Sequence, residues 1–384
     1  MKNFILALCV CTFAFAPVYA EDMDLLSDEM LLGNDSAGSQ TDKNVKNTEE
    51  ATSQDEESGS FFGFIIKPIS NLFGSNEKIT EVAEGEKESP LDRSIRQAGD
   101  GSLEDQMNLG YMYLYGANGV EPDVAKAFKY YEMAAEQKDP IALNNLGSLY
   151  FSGIGTKKNY EKALSLFSQA SDLGNDNASL NLAFIYLTGS AKDPVRNKKA
   201  FDLFEKSQKA GNKIAEFMLG YAYYKGFVTD VNYAEAYKYI KDAANGKAQI
   251  DEAQLVLADL YTKGIGTVQN YTSAVKSYRA AVNQGNMEAI LKLAEVYASG
   301  SITPQNLVLA HALYNIAAAQ NIPDAAQKRD ELNGEMPLEA LTNAQTTAQN
   351  FRSSPSELTK YIRQTYGYNI RNYIDNNMIV TTKK

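Results

Sequence analysis

From about residue 102 the apolar positions of the chain repeat. Tyrosines stand at Tyr113, Tyr150, Tyr186, Tyr223, Tyr261 and Tyr297, spaced 37, 36, 37, 38 and 36 residues apart. Four residues before each is a leucine: Leu109, Leu146, Leu182, Leu219, Leu257 or Leu293. A small residue follows each leucine (Gly110, Gly147, Ala183, Gly220, Ala258, Ala294). Three residues after each tyrosine is a glycine: Gly116, Gly153, Gly189, Gly226, Gly264 or Gly300. Ten or eleven residues later comes an alanine, and four beyond it Tyr131, Phe167, Phe204, Ile240, Tyr278 or Tyr314. Self-similarity at a fixed period of this length marks a repeat array.

Each copy predicts a helix hairpin. In "ALNNLGSLYFSG" the residues Ala142, Leu146, Gly147 and Tyr150 share one helical face, and Gly153 stops the helix because glycine accepts positive φ. In "NYEKALSLFSQA" Ala163, Phe167 and Ala170 fall at i, i+4 and i+7, which predicts a second amphipathic helix. The small residue beside each leucine lets the two helices approach. One hairpin cannot bury such a face alone, so stacked copies are needed to make a core. Copies three, four and six ("GSAKD", "GFVTD", "GSITP") lack the second loop glycine of "GIG", which predicts loops of different shape there.

The pattern resembles the Sel1-like repeat family, relatives of tetratricopeptide repeats. "LGSLYFSGIG" with "ALSLFSQASDLG", and "LADLYTKGIG" with "AVKSYRAAVNQG", carry the likeness over 102–321. The resemblance implies an all-α, right-handed α-solenoid. Its six repeats are expected near 102–139, 140–175, 176–212, 213–249, 250–286 and 287–321, within a repeat region of 91–321. It also implies a non-enzymatic protein–protein interaction scaffold or regulator in a bacterial envelope, with no cofactor. Residues 322–384 are expected to be a helical C-terminal cap, with "SELTKYIRQTYGYNIRNYIDNNMIV" (356–380) covering the end of the stack.

The N-terminal flank differs in composition. A basic start, the apolar run "FILALCVCTFAFA" and small residues before Glu21 predict a signal peptide over 1–20, hence an exported chain, periplasmic or secreted. The chain's two cysteines, Cys9 and Cys11, lie inside that run, so disulfide and thiolate chemistry are not expected after its removal. Residues 21–90 are predicted to be a disordered acidic arm. The chain carries 37 basic and 48 acidic side chains, and 19 acidic against 7 basic lie between 21 and 101, leaving the repeat region near neutral. A neutral body does not grip a phosphate backbone, so nucleic acid is not an expected partner. An apolar segment at 61–74, "FFGFIIKPISNLFG", interrupts the arm and is too short to span a membrane. Three roles fit it: weak membrane-surface contact, a partner motif, or docking on the chain's own solenoid, which is the simplest.

Candidate chemistry is sparse. "GIGTKKNY" after Tyr150 has the look of a phosphate cradle, but it recurs as "GIGTVQNY" at 264–271 without lysines, so the glycines are assigned to the turn. His311 is the only histidine and occupies an apolar column, which predicts packing rather than catalysis. No carboxylate pair is singled out, so a carboxylate-dependent hydrolase has no residues to its name. The best candidate is a groove. Asn108, Asn145 and Asn181 each precede a leucine and could form a ladder of amides for an extended peptide. Tyr111, Phe184 and Tyr221, two residues after a leucine, would supply aromatic anchors. The plainer alternative is a solvated helix face with inter-repeat packing. A periplasmic glycan or peptidoglycan binder is the competing function, with the same rings as its stacking platform.

Overall fold

A computed structural model describes residues 88–188, 193–246 and 248–378. The signal-peptide, acidic-arm and 61–74 expectations, and Gly189, lie outside the described residues. Among the described residues all regular structure is helical. A leading helix α1 (Pro90–Gly99) is followed by six hairpins: α2 (Leu103–Tyr115) with α3 (Val124–Glu136), α4 (Pro140–Ser152) with α5 (Tyr160–Asp172), α6 (Asp176–Leu187) with α7 (Pro194–Lys209), α8 (Lys213–Lys225) with α9 (Tyr233–Ala244), α10 (Asp251–Lys263) with α11 (Tyr271–Asn283), and α12 (Met287–Ser299) with α13 (Leu307–Ala319). The chain ends in α14 (Ala325–Asn333), α15 (Leu338–Asn350), α16 (Glu357–Thr365) and the short α17 (Asn372–Asp375).

The repeated residues explain the hairpin. Leu109, Leu146, Leu182, Leu219, Leu257 and Leu293 are all buried, as are the alanines and large side chains of the second helices from Ala127 and Tyr131 to Ala310 and Tyr314. A methyl group on Gly147 would stand 3.0 Å from the Phe167 ring, and one on Gly220 would stand 2.8 Å from Ile240. The small column therefore receives the large side chain of its own hairpin partner. Tyr113, Tyr150 and Tyr297 are buried, whereas Tyr186, Tyr223 and Tyr261 are half-buried. Their carbonyls do a second job. Asp123, Asn159, Asn232, Asn270 and Asn306 each donate a backbone N–H to the tyrosine carbonyl of the preceding helix, at 2.7–3.0 Å. The side chains of the same residues cap the second helices.

Gly116, Gly153, Gly226, Gly264 and Gly300 cap the first helices in the left-handed conformation. The second loop glycine answers a different need. A methyl on Gly266 would lie 2.0 Å from the Tyr233 carbonyl oxygen, and one on Gly155 would lie 2.2 Å from that of Val124. This glycine lets one repeat's loop rest on the start of the previous repeat's second helix. Repeat four lacks it, yet keeps the left-handed turn: Val228 takes φ +67° there. A β-branched residue in that region is strained. Val228→Gly is expected to stabilise the chain by roughly 1 kcal/mol, the relieved strain less the entropy glycine loses on folding. Denaturant unfolding of the variant checks this, and a midpoint that moves down contradicts it.

Helices α14 and α15 pack on α13 and close the sixth repeat. His311, on α13, is 2 % exposed, and its Nε2 lies 3.0 Å from Asn333 Oδ1 on α14. Burial lowers its pKa, with Arg329 adding to the effect, against the opposing pull of the Asn333 hydrogen bond and of Asp330. Neutral His311 thus fits the folded cap. As pH falls below about 6.5 the unfolded form takes up the proton first, so the α14 contact loses stability as the pH drops. The lone imidazole resonance is expected to titrate below the ordinary histidine value, with α14 amides exchanging faster at pH 5 than at pH 7.5. A midpoint at or above 6.5 contradicts this.

Candidate functional site

The first helices of the hairpins line one face, and the C-terminal segment lies on it. Expected to cover the end of the stack, residues 354–378 instead run back across repeats five, four and three. The stack's end is covered by α14 and α15 alone. The reason is chemical as well as apolar. Leu358, Tyr361, Ile362, Ile370 and Ile374 belong to the same buried cluster as Phe184, Phe217, Met218, Tyr221 and Val256.

The polar contacts follow the segment in order. Ser354 N–H donates to Asn283 O at 2.7 Å, and Ser356 N–H to Gln284 Oε1 at 3.0 Å. A methyl on Gly285 would meet Ser353 Cβ at 2.8 Å, so this glycine clears the path. Thr359, fully buried, donates to Gln284 Oε1 and accepts from the Asp251 N–H. Arg363 Nη2 reaches Asp251 Oδ2 at 2.7 Å and Gln284 O at 2.9 Å. Beyond α16 the chain turns at Gly367, φ +95°. Ile370 N–H and Arg371 Nε then donate to the two oxygens of Glu252, at 2.7 and 2.8 Å, and Arg371 Nη2 donates to Glu288 at 2.7 Å. The end is fixed by Tyr221 OH and Lys225 Nζ on Asp375, each 2.9 Å, and by Asn377, which bonds Asn197 and the Leu187 carbonyl.

Glu252 is the most buried charge of the site, its side chain 1 % exposed. Burial pushes its carboxyl up to about 7, against the pull of the Arg371 guanidinium and the Ile370 N–H. Arg371 is held cationic by Glu252 and Glu288 despite its own burial. Burial also raises Tyr221 and Tyr366, and the Asp375 carboxylate adds to the rise at Tyr221.

The six groove residues separate into two groups. Asn181, Phe184 and Tyr221 meet the C-terminal segment. Asn181 Oδ1 accepts from Tyr366 OH at 2.7 Å, and Phe184 stacks on the Tyr366 ring at 4.2 Å and meets Tyr373 edge-on at 4.8 Å. Asn145 is buried and faces Asn144, which bonds Asn181 in turn. Asn145, Asn144 and Asn181 thus form an amide relay between repeats two and three, which Asn108 does not join. Asn108 and Tyr111 are half-buried on α2, with Tyr111 4.9 Å from the Tyr115 ring. Asp251, Glu252, Gln284, Arg363, Tyr366 and Arg371 escaped the sequence reading. Adjacent acids at a helix start and two arginines in the tail were visible, but nothing in one sequence pairs positions more than 100 residues apart.

Among the described residues no group of three or more His, Cys, Asp or Glu stands together as a metal site. Two open surface hollows, of about 240 and 330 Å3, are lined by Leu146, Tyr150 and Lys162 and by Pro355, Arg363 and Tyr368, with no carboxylate in either. No described helix is long and apolar enough to cross a membrane.

A six-repeat helical solenoid with a polypeptide laid on the face formed by its first helices defines a repeat-scaffold protein. The Sel1 repeat model matches residues 103–139, 140–175, 177–212, 213–247, 251–286 and 288–322, more than half of the chain, and the chain belongs to the Sel1 repeat family. It is 30% identical over 124 residues to the ERAD-associated E3 ubiquitin-protein ligase component HRD3B of Arabidopsis thaliana, covering 32% of this chain and 19% of that protein. It is 27% identical over 81 residues to Chitin synthase regulatory factor 3 of Schizosaccharomyces pombe, 21% of this chain and 9% of that one. The chain thus spans less than a fifth of the length of these curated relatives. A Sel1 repeat protein from Oxalobacter formigenes shares the fold with a TM-score of 0.51 and 23% identity, over 60% of this chain and 99% of that structure. Sel1 repeats serve in general as protein-interaction modules.

Proposed function

We propose that the protein is a non-catalytic interaction scaffold acting outside the cytoplasm, and that the inner face of its solenoid is the surface that takes a polypeptide partner. One observation carries this: the face already holds 25 residues of polypeptide through spaced side-chain contacts to three successive repeats. The leader-like sequence at 1–20 supports the location. The roles named for the relatives, a ubiquitin-ligase component and a synthase regulator, support an adaptor rather than a catalyst. The rings support polypeptide over glycan: Phe184 and Tyr221, 3 and 4 % exposed, already pack against the C-terminal segment, and Tyr111 is the half-buried one of the three.

The test is site-specific photo-crosslinking in intact cells. A crosslinking residue replaces half-buried Asn108 or Ser148 on the first helices, or exposed Lys129 on a second helix. Adducts with a foreign protein are expected from the first two positions and not from the third. Adducts from Lys129 alone, or from none of the three, overturn the proposal.

A further inference from the structure

The C-terminal segment is a bound peptide whose sequence is known, so it reports what the face selects. Three features stand out. The face presents Asp251, Glu252 and Glu288 to two guanidiniums, with Asp251 and Glu252 side chains 4 and 1 % exposed beneath them. A neutral ligand at the same place would leave those carboxylates desolvated without a counter-charge, which is strongly unfavourable. On repeat three the Phe184 ring accepts an aromatic pair, Tyr366, which lies between the two arginines in sequence, and Tyr373, which follows the second. Leu358, Tyr361 and Ile362 form the apolar stripe of an amphipathic helix, at i, i+3 and i+4. Selection therefore runs through side chains at fixed spacing.

The segment is also built to be replaced. Its helices are nine and four residues long, far short of what holds an isolated helix together in water. It is joined to α15 through the irregular residues 351–356, which include Pro355. At its far end Asp375 is only partly covered, its side chain 34 % exposed against Lys225 at 35 %.

We propose that the face on repeats three to five binds an external peptide of the same chemistry, an amphipathic helix carrying tyrosines and two arginines, and that such a peptide enters by displacing the C-terminal segment. This rests on the inner-face reading above and names the partner's chemistry. The tethered segment enjoys a high effective concentration, so a competing peptide succeeds only when the tether's contacts are weakened or its own contacts are stronger.

The experiment uses the full chain and a fluorescently labelled synthetic peptide of residues 354–378. Fluorescence anisotropy is read for the wild type and for the tail variant Tyr366→Ala/Arg371→Ala, in which hydrogen exchange reports whether the tail has come off. The variant is expected to bind the peptide at least about tenfold tighter than the wild type, because its own tail no longer competes. Replacing both peptide arginines by glutamate, or adding Asp251→Asn/Glu252→Gln to the variant, is expected to abolish the gain. The latter substitutions keep side-chain size and sit at the groove surface once the tail is off, so the fold is retained. An undocked variant that binds no better than wild type overturns the proposal. So does equal binding of the glutamate peptide. Failure here with inner-face crosslinks intact removes only the named chemistry. Success here without any crosslink removes the scaffold reading and leaves the face as a receptor for this peptide class.

Discussion

Arg371→Ala is expected to release the C-terminal segment from the solenoid. Among the described residues Arg371 supplies the only guanidinium on Glu252, at 2.8 Å, and it also holds Glu288 at 2.7 Å. Removing one partner of a buried pair costs about 3–5 kcal/mol, because the remaining charge is stranded away from water. Glu252 is already pushed up to about 7 by burial with the arginine present, and it would rise further without it. The protein has an easier escape than carrying that penalty: the segment lifts off and water reaches Glu252. The loss is therefore read as undocking and not as unfolding of the hairpins. Limited proteolysis is expected to cut between 351 and 378 in the variant while the repeats stay resistant. Pairing the change with Glu252→Gln removes the stranded charge, and the double variant is expected to regain part of the protection. A variant as resistant as the wild type would show that the pair contributes little.

Gly266→Ala is expected to be the most damaging single change in the repeat loops. The residue has φ +70°, which costs an alanine about 1–2 kcal/mol. The new methyl would also stand 2.0 Å from the Tyr233 carbonyl oxygen, so backbone must move against backbone. Together these make a loss of roughly 3 kcal/mol or more. Because the contact joins repeats four and five, the loss falls on an interface between neighbours, and in a nearest-neighbour array that uncouples the two sides. Thermal unfolding should become broader or split in two. Gly155→Ala, with its 2.2 Å approach to Val124, should behave alike between repeats one and two. An unshifted, single transition for both would contradict the role given to the second glycine.

The contrast between these two sites shows what the sequence could carry. The hairpins were legible because their cause is local: the leucine, the small neighbour, the tyrosine and the loop glycine each act within one copy and recur six times. The loop glycine's left-handed turn could be read the same way. The need for the second loop glycine could not, since the Tyr233 and Val124 carbonyls that crowd Gly266 and Gly155 belong to the previous copy. Repeat four was expected to turn differently for want of that glycine. It does not: Val228, although β-branched and exposed, takes the same left-handed conformation.

The candidate site was legible only in half. Asn181, Phe184 and Tyr221 do line the occupied face, and their residue types suggested contact with a polypeptide. The occupant was not legible. Residues 356–378 are amphipathic, and amphipathicity says that a face is buried without saying where. The choice between the stack's end and its inner face is made by Asp251, Glu252 and Glu288 against Arg363 and Arg371, a match of charges set by three-dimensional spacing. Asn145 is buried in the repeat stack, its Oδ1 3.4 Å from Asn144 Nδ2 and its own Nδ2 without a hydrogen-bond partner among the described residues.

The first helices of repeats three to five hold polypeptide, here the chain's own C-terminal segment. Hydrogen exchange on the full chain, resolved to short peptides, is the sharpest check. Slow exchange is expected for amides between 357 and 377, with Ile370 among the slowest because its N–H is buried on Glu252. In Arg371→Ala, α6, α8 and α10 are expected to lose protection together with that segment. Exchange of 357–377 at the rate of an unstructured chain, with α6, α8 and α10 unaffected by the substitution, would contradict this.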